Sequence, residues 1–261
     1  MSVHIKTRDE AVKAIVGVFL DKLKDAVAHI DLDPQSFYDF FQSVRTESDR
    51  AMAIIIFSFI EERLGGLLRE AMSPDIVGGP ATLFEGFGPL STASARIELA
   101  AALYWLSPET YHNLRLLRKI RNGFAHGPFV GNFEEAKIRD LLNAMDPLED
   151  RVFEAFSIDK VNLDRAGTSQ RIAFLLRSIL TCSRMMAEVS TAPCAQRVGL
   201  PPHVALGVDA RARPEAIDAL WRITSELVVD LLSEEGVLEL DDDASSDTDS
   251  GRTIEIDSRR D

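Results

Sequence analysis

The chain is poor in the residues that build disulfide frameworks, aromatic-rich sheets and nucleic-acid surfaces. Its two cysteines, Cys182 and Cys194, have no C-x-x-C spacing and no histidine cluster beside them. Neither a disulfide scaffold nor a thiolate metal site is expected, and reduced thiols in a cytoplasmic protein are. Three Tyr and two Trp are set against abundant Leu and Ala, a balance that favours helices over a β-sandwich. Acidic residues outnumber basic ones 42 to 29, and the net charge of -13 argues against a broad electrostatic grip on DNA or RNA. The longest apolar run, 51–60, contains Ser58 and falls far short of the roughly 20 residues that span a bilayer, so no membrane span is expected. The first eight residues are polar and precede an amphipathic pattern, so no secretory signal is expected.

What is present is helical periodicity. Asp9 to His29 places Ala11, Ile15, Val18, Phe19, Leu23 and Val27 on one stripe. Asp33-Pro34 opens a short helix with Phe37, Phe40 and Phe41. Ala51 to Leu68, apolar nearly all round at its start, reads as the buried central helix, and Gly65-Gly66 marks a close approach or a weak point within it. A Gly- and Pro-rich loop spans 73–90. Its Phe84-Glu85-Gly86-Phe87-Gly88 lacks the phosphate-loop spacing and reads as a turn packing two aromatics. Ser91 is the expected cap of a helix over 93–106. Ser107-Pro108-Glu109 then starts a helix with Tyr111, Leu114, Leu117, Ile120 and Phe124 inward, stopped at Gly127-Pro128. Helices are also expected over 133–145, 168–188 and from Pro214 through Leu231. An irregular segment that could include a short strand covers 146–167, and a loop covers 193–213. From Glu239 to Asp261 nine acidic and three basic residues give -6, leaving -7 for the rest, and the composition is that of a disordered acidic tail.

The chemistry is concentrated in Arg121-Asn122-Gly123-Phe124-Ala125-His126. On a helix, Asn122 and His126 point nearly the same way, Arg118 joins that face and Arg121 lies beside it. Cations near a helix C-terminus gain about 0.3–1 kcal/mol each from the dipole. Glu47 and Asp49 are the acids expected opposite them. Arg50 and Arg96 either converge on the Arg121 cluster as an anion site or pair with Glu47, Asp49 or Glu62. His4, His29, His112 and His203 are scattered without metal-ligand spacing, so no metal and no cofactor is expected.

Three ordered segments resemble the mannitol operon repressor family: Glu47-Ser48-Asp49-Arg50 before an apolar helix, Pro89 to Ile97, and Ile120 to His126. The resemblance covers roughly Phe41 to Met186. It implies an all-α bacterial cytoplasmic regulator that acts through protein or small-ligand contacts rather than by holding DNA itself. No helix-turn-helix with a basic recognition helix is found to contradict this. More loosely, Arg121-Asn122 followed by His126 is similar to the motif of HEPN proteins, many of which are metal-independent ribonucleases. That likeness implies a proton shuttle at His126, a phosphate contact at Arg121, positioning by Asn122, and a homodimer to complete the site.

The sequence is therefore read as an irregular all-α bundle. Residues 1–45 form a helical extension packed on the core, 46–237 the main domain and 238–261 the acidic tail. Three functional readings stand: a mannitol-repressor-like regulator, a HEPN-type ribonuclease for which RNA is the partner, and a non-enzymatic adaptor whose tail binds a basic protein. Beside all three stands the possibility that the Arg121–His126 cluster is a satisfied polar network holding helices together.

Overall fold

Each long helix in the first half of the chain begins at a residue whose side chain takes up a free main-chain N–H. The computed structural model describes residues 30, 32–73, 75–127, 131–148, 170–197 and 215–235. Among these the protein is all-α, with eight helices and no strand. Helix α1 (Pro34–Val44) is capped by Asp33, whose Oδ1 accepts the Ser36 N–H at 3.2 Å. Helix α2 (Asp49–Ala71) is capped by the Ser48 hydroxyl at 3.3 Å from the Ala51 nitrogen. A single turn, α3 (Ala81–Phe84), interrupts the glycine-rich loop. Helix α4 (Ala93–Ala102) takes Thr92 as its cap, one residue beyond the expected Ser91, because the Thr92 hydroxyl is the one that reaches the Ala95 N–H. Helix α5 (Pro108–His126) starts at Ser107 as its sequence predicts. Helices α6 (Ala136–Asn143), α7 (Gln170–Arg197) and α8 (Glu215–Glu234) complete the order.

The central helix is α7, not α2. Helix α2 buries one face through Met52, Ala53, Ile56, Phe57, Ile60, Leu64 and Leu68 and leaves Ile55, Ser58 and Glu62 exposed. Helix α7 buries 20 of its 28 residues, which only an enclosed helix does. Its Ser and Thr residues conceal this in the sequence. Three of the hydroxyls return to the helix's own carbonyls, Thr191 to Ala187 at 2.7 Å, Ser183 to Leu180 at 3.1 Å and Ser190 to Met186 at 2.6 Å, and so they pack as small apolar groups. It also runs through Pro193, where a loop was expected. Proline forfeits one hydrogen bond, but the final turn is held from outside: Gln196 accepts the Trp105 indole N–H at 2.8 Å and donates to the Leu103 carbonyl at 3.1 Å.

Around α7 stand α2, α5, α6 and α8, with α1 bridging α2 and α8 and α4 lying against α2 and α5. Phe37 and Phe41 of α1 belong to the same core as Phe124, Phe133 and Phe174. Cys182 and Cys194 are free and buried, and burial pushes both thiols above their ordinary range. No helix among the described residues is long and apolar enough to cross a membrane. The expected helix over 9–29, most of the irregular segment after Asp146, nearly all of the 193–213 loop and the acidic tail lie outside the described residues.

Two buried polar side chains fix α5 in place. Glu188 of α7, 5% exposed, accepts the Ser107 N–H at 3.0 Å and the Arg184 Nε–H at 2.9 Å, tying the start of α5 to the core. Asn113 brackets the main chain of Asp146, donating to its carbonyl at 3.1 Å and accepting its N–H at 2.8 Å. Neither acceptor could be lost without stranding a buried donor, at a cost of about 1–3 kcal/mol.

Candidate functional site

The buried stripe of α5, with Thr110, Asn113, Leu114, Leu117, Ile120 and Phe124, turns Lys119, Asn122 and His126 outward. Helix α6 lies beside the last turns of α5, its Ile138 fully buried. The approach is close at Gly123, where an added Cβ would sit 2.8 Å from Ile138 Cδ1. Between the two helices opens a cleft of about 400 Å³ lined by Lys119, Asn122, Gly123, His126, Gly127, Lys137 and Leu141. His126 is solvent-exposed at its mouth.

Arg121 flanks the cleft and donates from Nη1 to Asn122 Oδ1 at 3.0 Å, which leaves the Asn122 amide N–H groups for other acceptors. Its Nε is buried and has no hydrogen-bond partner. Arg118, half-buried one turn earlier, is not among the residues that line the cleft.

The acids expected opposite this face are elsewhere. Asp49 Oδ1 is paired with Arg171 at the start of α7, and Asp49 Oδ2 accepts the Phe133 N–H at 3.0 Å. Arg171 Nη2 donates to the carbonyls of Arg45 and Glu47 at 2.7 and 2.6 Å, so Glu47 contributes its main chain while its side chain faces solvent. Among the described residues no ion pair joins Glu47 or Asp49 to Arg118, Arg121 or His126. Arg50 does reach α5, donating to the Ala125 carbonyl at 3.4 Å, a basic side chain closing a helix C-terminus.

Arg96 does not join the cluster. Its Nε donates to the Leu90 carbonyl at 2.8 Å, its guanidinium lies 3.7 Å from Glu61 and 5.4 Å from the Phe84 ring centroid, and it crosses α2 at Gly65. Gly65 therefore marks a close approach by a side chain. In the adjoining loop only Phe84 is packed, between Arg69 and Arg96, whereas Phe87 is fully exposed. The expectation of two packed aromatics fails because the turn closes too tightly: the Leu90 N–H meets the Leu83 carbonyl at 2.8 Å, which leaves 87 at the tip.

No protein-family model, curated protein or solved structure matches the chain.

Two polar systems thus lie at this end of the bundle. One is a closed network of Asp49, Arg171 and main-chain groups of Arg45, Glu47 and Phe133. The other is an open cleft with two ammonium groups, an imidazole and a carboxamide, and no carboxylate among its lining residues. A second cleft, of about 480 Å³ beside α1 and α2, contains Glu62 and Glu70 as well as Arg63 and Arg69, and Arg63 is taken up by Ser36 at 2.9 Å and Asp33 at 3.8 Å. Among the described residues neither Lys119 nor Lys137 has an ion-pair partner. Among those residues no three His, Cys, Asp or Glu side chains are grouped to hold a metal ion. The α5–α6 cleft is chemically suited to an anion.

Arg171, Lys119 and Lys137 were not singled out by the sequence. Lys119 was within reach of that reasoning, because 119, 122 and 126 stand at i, i+3 and i+7 on one helix face. Lys137 comes from the next helix and Arg171 from one far along the chain, and only the packing brings them to their places.

Proposed function

We propose that the protein is a regulator of the kind implied by its resemblance to the mannitol operon repressor family, and that it works by binding a phosphate-bearing ligand in the α5–α6 cleft. The observation carrying this reading is the convergence of Lys119, Lys137, Asn122 and His126 on one open cleft lined by no acid. Two ammoniums supply charge, while the imidazole and carboxamide supply directed donors. Isothermal calorimetry with pyrophosphate as the probe tests it. The wild-type chain binds, and the double variant Lys119→Gln/Lys137→Gln loses affinity by roughly tenfold or more, since each charge-assisted hydrogen bond contributes about 1.5–3 kcal/mol. Equal affinity in the two proteins would remove the reading.

A second reading, a HEPN-type metal-independent ribonuclease, is favoured by one observation: Arg121 and Asn122 are bonded side by side next to an exposed His126. In that reading His126 takes the proton of a 2′-hydroxyl as its oxygen attacks phosphorus and returns it to the departing 5′-oxygen, with Arg121 on the phosphate. It needs a second chain to complete the site. Its test is cleavage of RNA in excess EDTA by wild type, His126→Ala and Arg121→Ala. Cleavage lost in folded variants supports it, and an inert wild type ends it.

A further inference from the structure

We infer that the α5–α6 cleft has a built-in occupant, the chain's own acidic segment 239–261, which competes there with the external anion. The inference rests on the anion-binding reading of the cleft and adds the partner that regulates it.

Charge complementarity comes first. Glu239 to Asp249 carries six acids and no base. Lys119, Lys137 and His126 line a cleft without acids, and the two lysines are unpaired among the described residues. Three other cations at this end of the bundle are already engaged: Arg45 pairs with Glu234, Arg171 with Asp49, and Arg50 holds the Ala125 carbonyl. Of the acids beside α6, Glu134 is turned toward the start of α7, where it accepts the Gln170 N–H at 3.4 Å, and Glu135 and Asp140 are not among the residues that line the cleft.

Position comes second. The segment follows α8, whose last residue, Glu234, is bonded to Arg45. The Arg45 carbonyl receives Arg171, Arg171 pairs with Asp49, and the next residue, Arg50, touches the end of α5 beside His126. The end of α8 and the mouth of the cleft therefore lie at the same end of the bundle. Helix α8 packs on α7 and α7 on α5, so at interaxial spacings of 8–10 Å the separation is roughly 16–20 Å, plus one helix width to α6. From Glu235 to Asp243 is eight residues and to Asp249 fourteen, which reach about 26–50 Å when extended at 3.3–3.6 Å each. The acidic run can lie in the cleft without any rearrangement of the helices. Tethered at this distance it acts at an effective concentration in the millimolar range.

The test uses the full chain. In one variant Asp241, Asp242, Asp243, Asp247 and Asp249 are all changed to Asn, and pyrophosphate affinity is measured by calorimetry at low salt beside the wild type. The neutralised chain binds about tenfold more tightly, because a millimolar internal competitor has been removed. A synthetic peptide of residues 239–261 added to the neutralised chain lowers its pyrophosphate affinity and shifts the His126 ring resonances, and Lys119→Gln/Lys137→Gln abolishes both effects. Equal pyrophosphate affinity in wild type and neutralised chain, with no competition by the peptide, overturns the inference and leaves the cleft reading intact. If the peptide binds through Lys119 and Lys137 but pyrophosphate does not, competition with a small anion is overturned together with the small-anion reading. If neither moves the His126 resonances, both fall.

Discussion

At the scale of single residues, the two polar systems near Asp49 and His126 separate stability from binding. Asp49→Ala strands Arg171, whose side chain is 29% exposed, and the Phe133 N–H. Loss of about 2–3 kcal/mol is expected, a fall in melting temperature of roughly 5–10 °C by calorimetry, with pyrophosphate affinity unchanged in the folded protein. Lys119→Gln does the reverse, since Lys119 is exposed and, among the described residues, unpaired: binding weakens and the melting temperature stays. Tyr104 makes a different point. It ends α4 in a left-handed conformation, φ 59°, with the Trp105 N–H on the Ala100 carbonyl at 2.9 Å and its own N–H on the Ala101 carbonyl at 3.0 Å. That position suits glycine, and Tyr104 is 74% exposed, so its ring contributes little packing. The left-handed cost of about 1–2 kcal/mol for a side-chain-bearing residue, less glycine's extra chain entropy of about 0.5–1 kcal/mol, makes Tyr104→Gly stabilising. A rise of roughly 2 °C is the expected outcome.

At the scale of elements, the cleft exists because α6 can approach α5 at Gly123. A Cβ there would already press on Ile138 Cδ1, and Ile138 is fully buried with nowhere to turn. Gly123→Val therefore costs about 1–3 kcal/mol by overpacking. Ile138→Ala in the same chain gives back part of that loss, so a double-mutant cycle by urea denaturation shows favourable coupling above about 0.5 kcal/mol. Additive effects would mean that α6 does not rest on this contact. The elements were largely legible in the sequence. Ser107 and Asp33 announced their helices, and Gly127 announced the end of α5, because capping is local chemistry. The identity of the central helix was not legible. The apolar run of α2 shows on the page, whereas the burial of α7 is hidden behind hydroxyls that bond within the helix and are known to do so only once the packing is seen.

At the scale of the molecule, the charge is segregated rather than merely negative. A chain of net charge -13 keeps two lysines, unpaired among the described residues, and a histidine in one cleft lined by no acid. Binding there is electrostatic in part, and the Debye length shrinks from about 10 Å at 0.1 M salt to about 3 Å at 1 M. Pyrophosphate affinity accordingly falls as sodium chloride is raised across that range, while the melting temperature of the Asp49–Arg171 network responds far less. The site itself was half legible. Arg121, Asn122 and His126 were found from their spacing on one helix, but the acids set opposite them were assigned by nearness in sequence to α2. Asp49 is committed to Arg171, more than a hundred residues away, and His126 shares its cleft with Lys137, which no local pattern connects to it. Sequence spacing places residues on a face of one helix, and only the meeting of helices decides what that face meets.

The most direct measurement is the ring resonance of His126, assigned with His126→Gln, followed by two-dimensional NMR as pyrophosphate is added. The account predicts a saturable shift in the wild-type chain, absent in Lys119→Gln/Lys137→Gln and retained in folded Asp49→Asn. A His126 resonance that stays still in the wild type while pyrophosphate is in excess would contradict it.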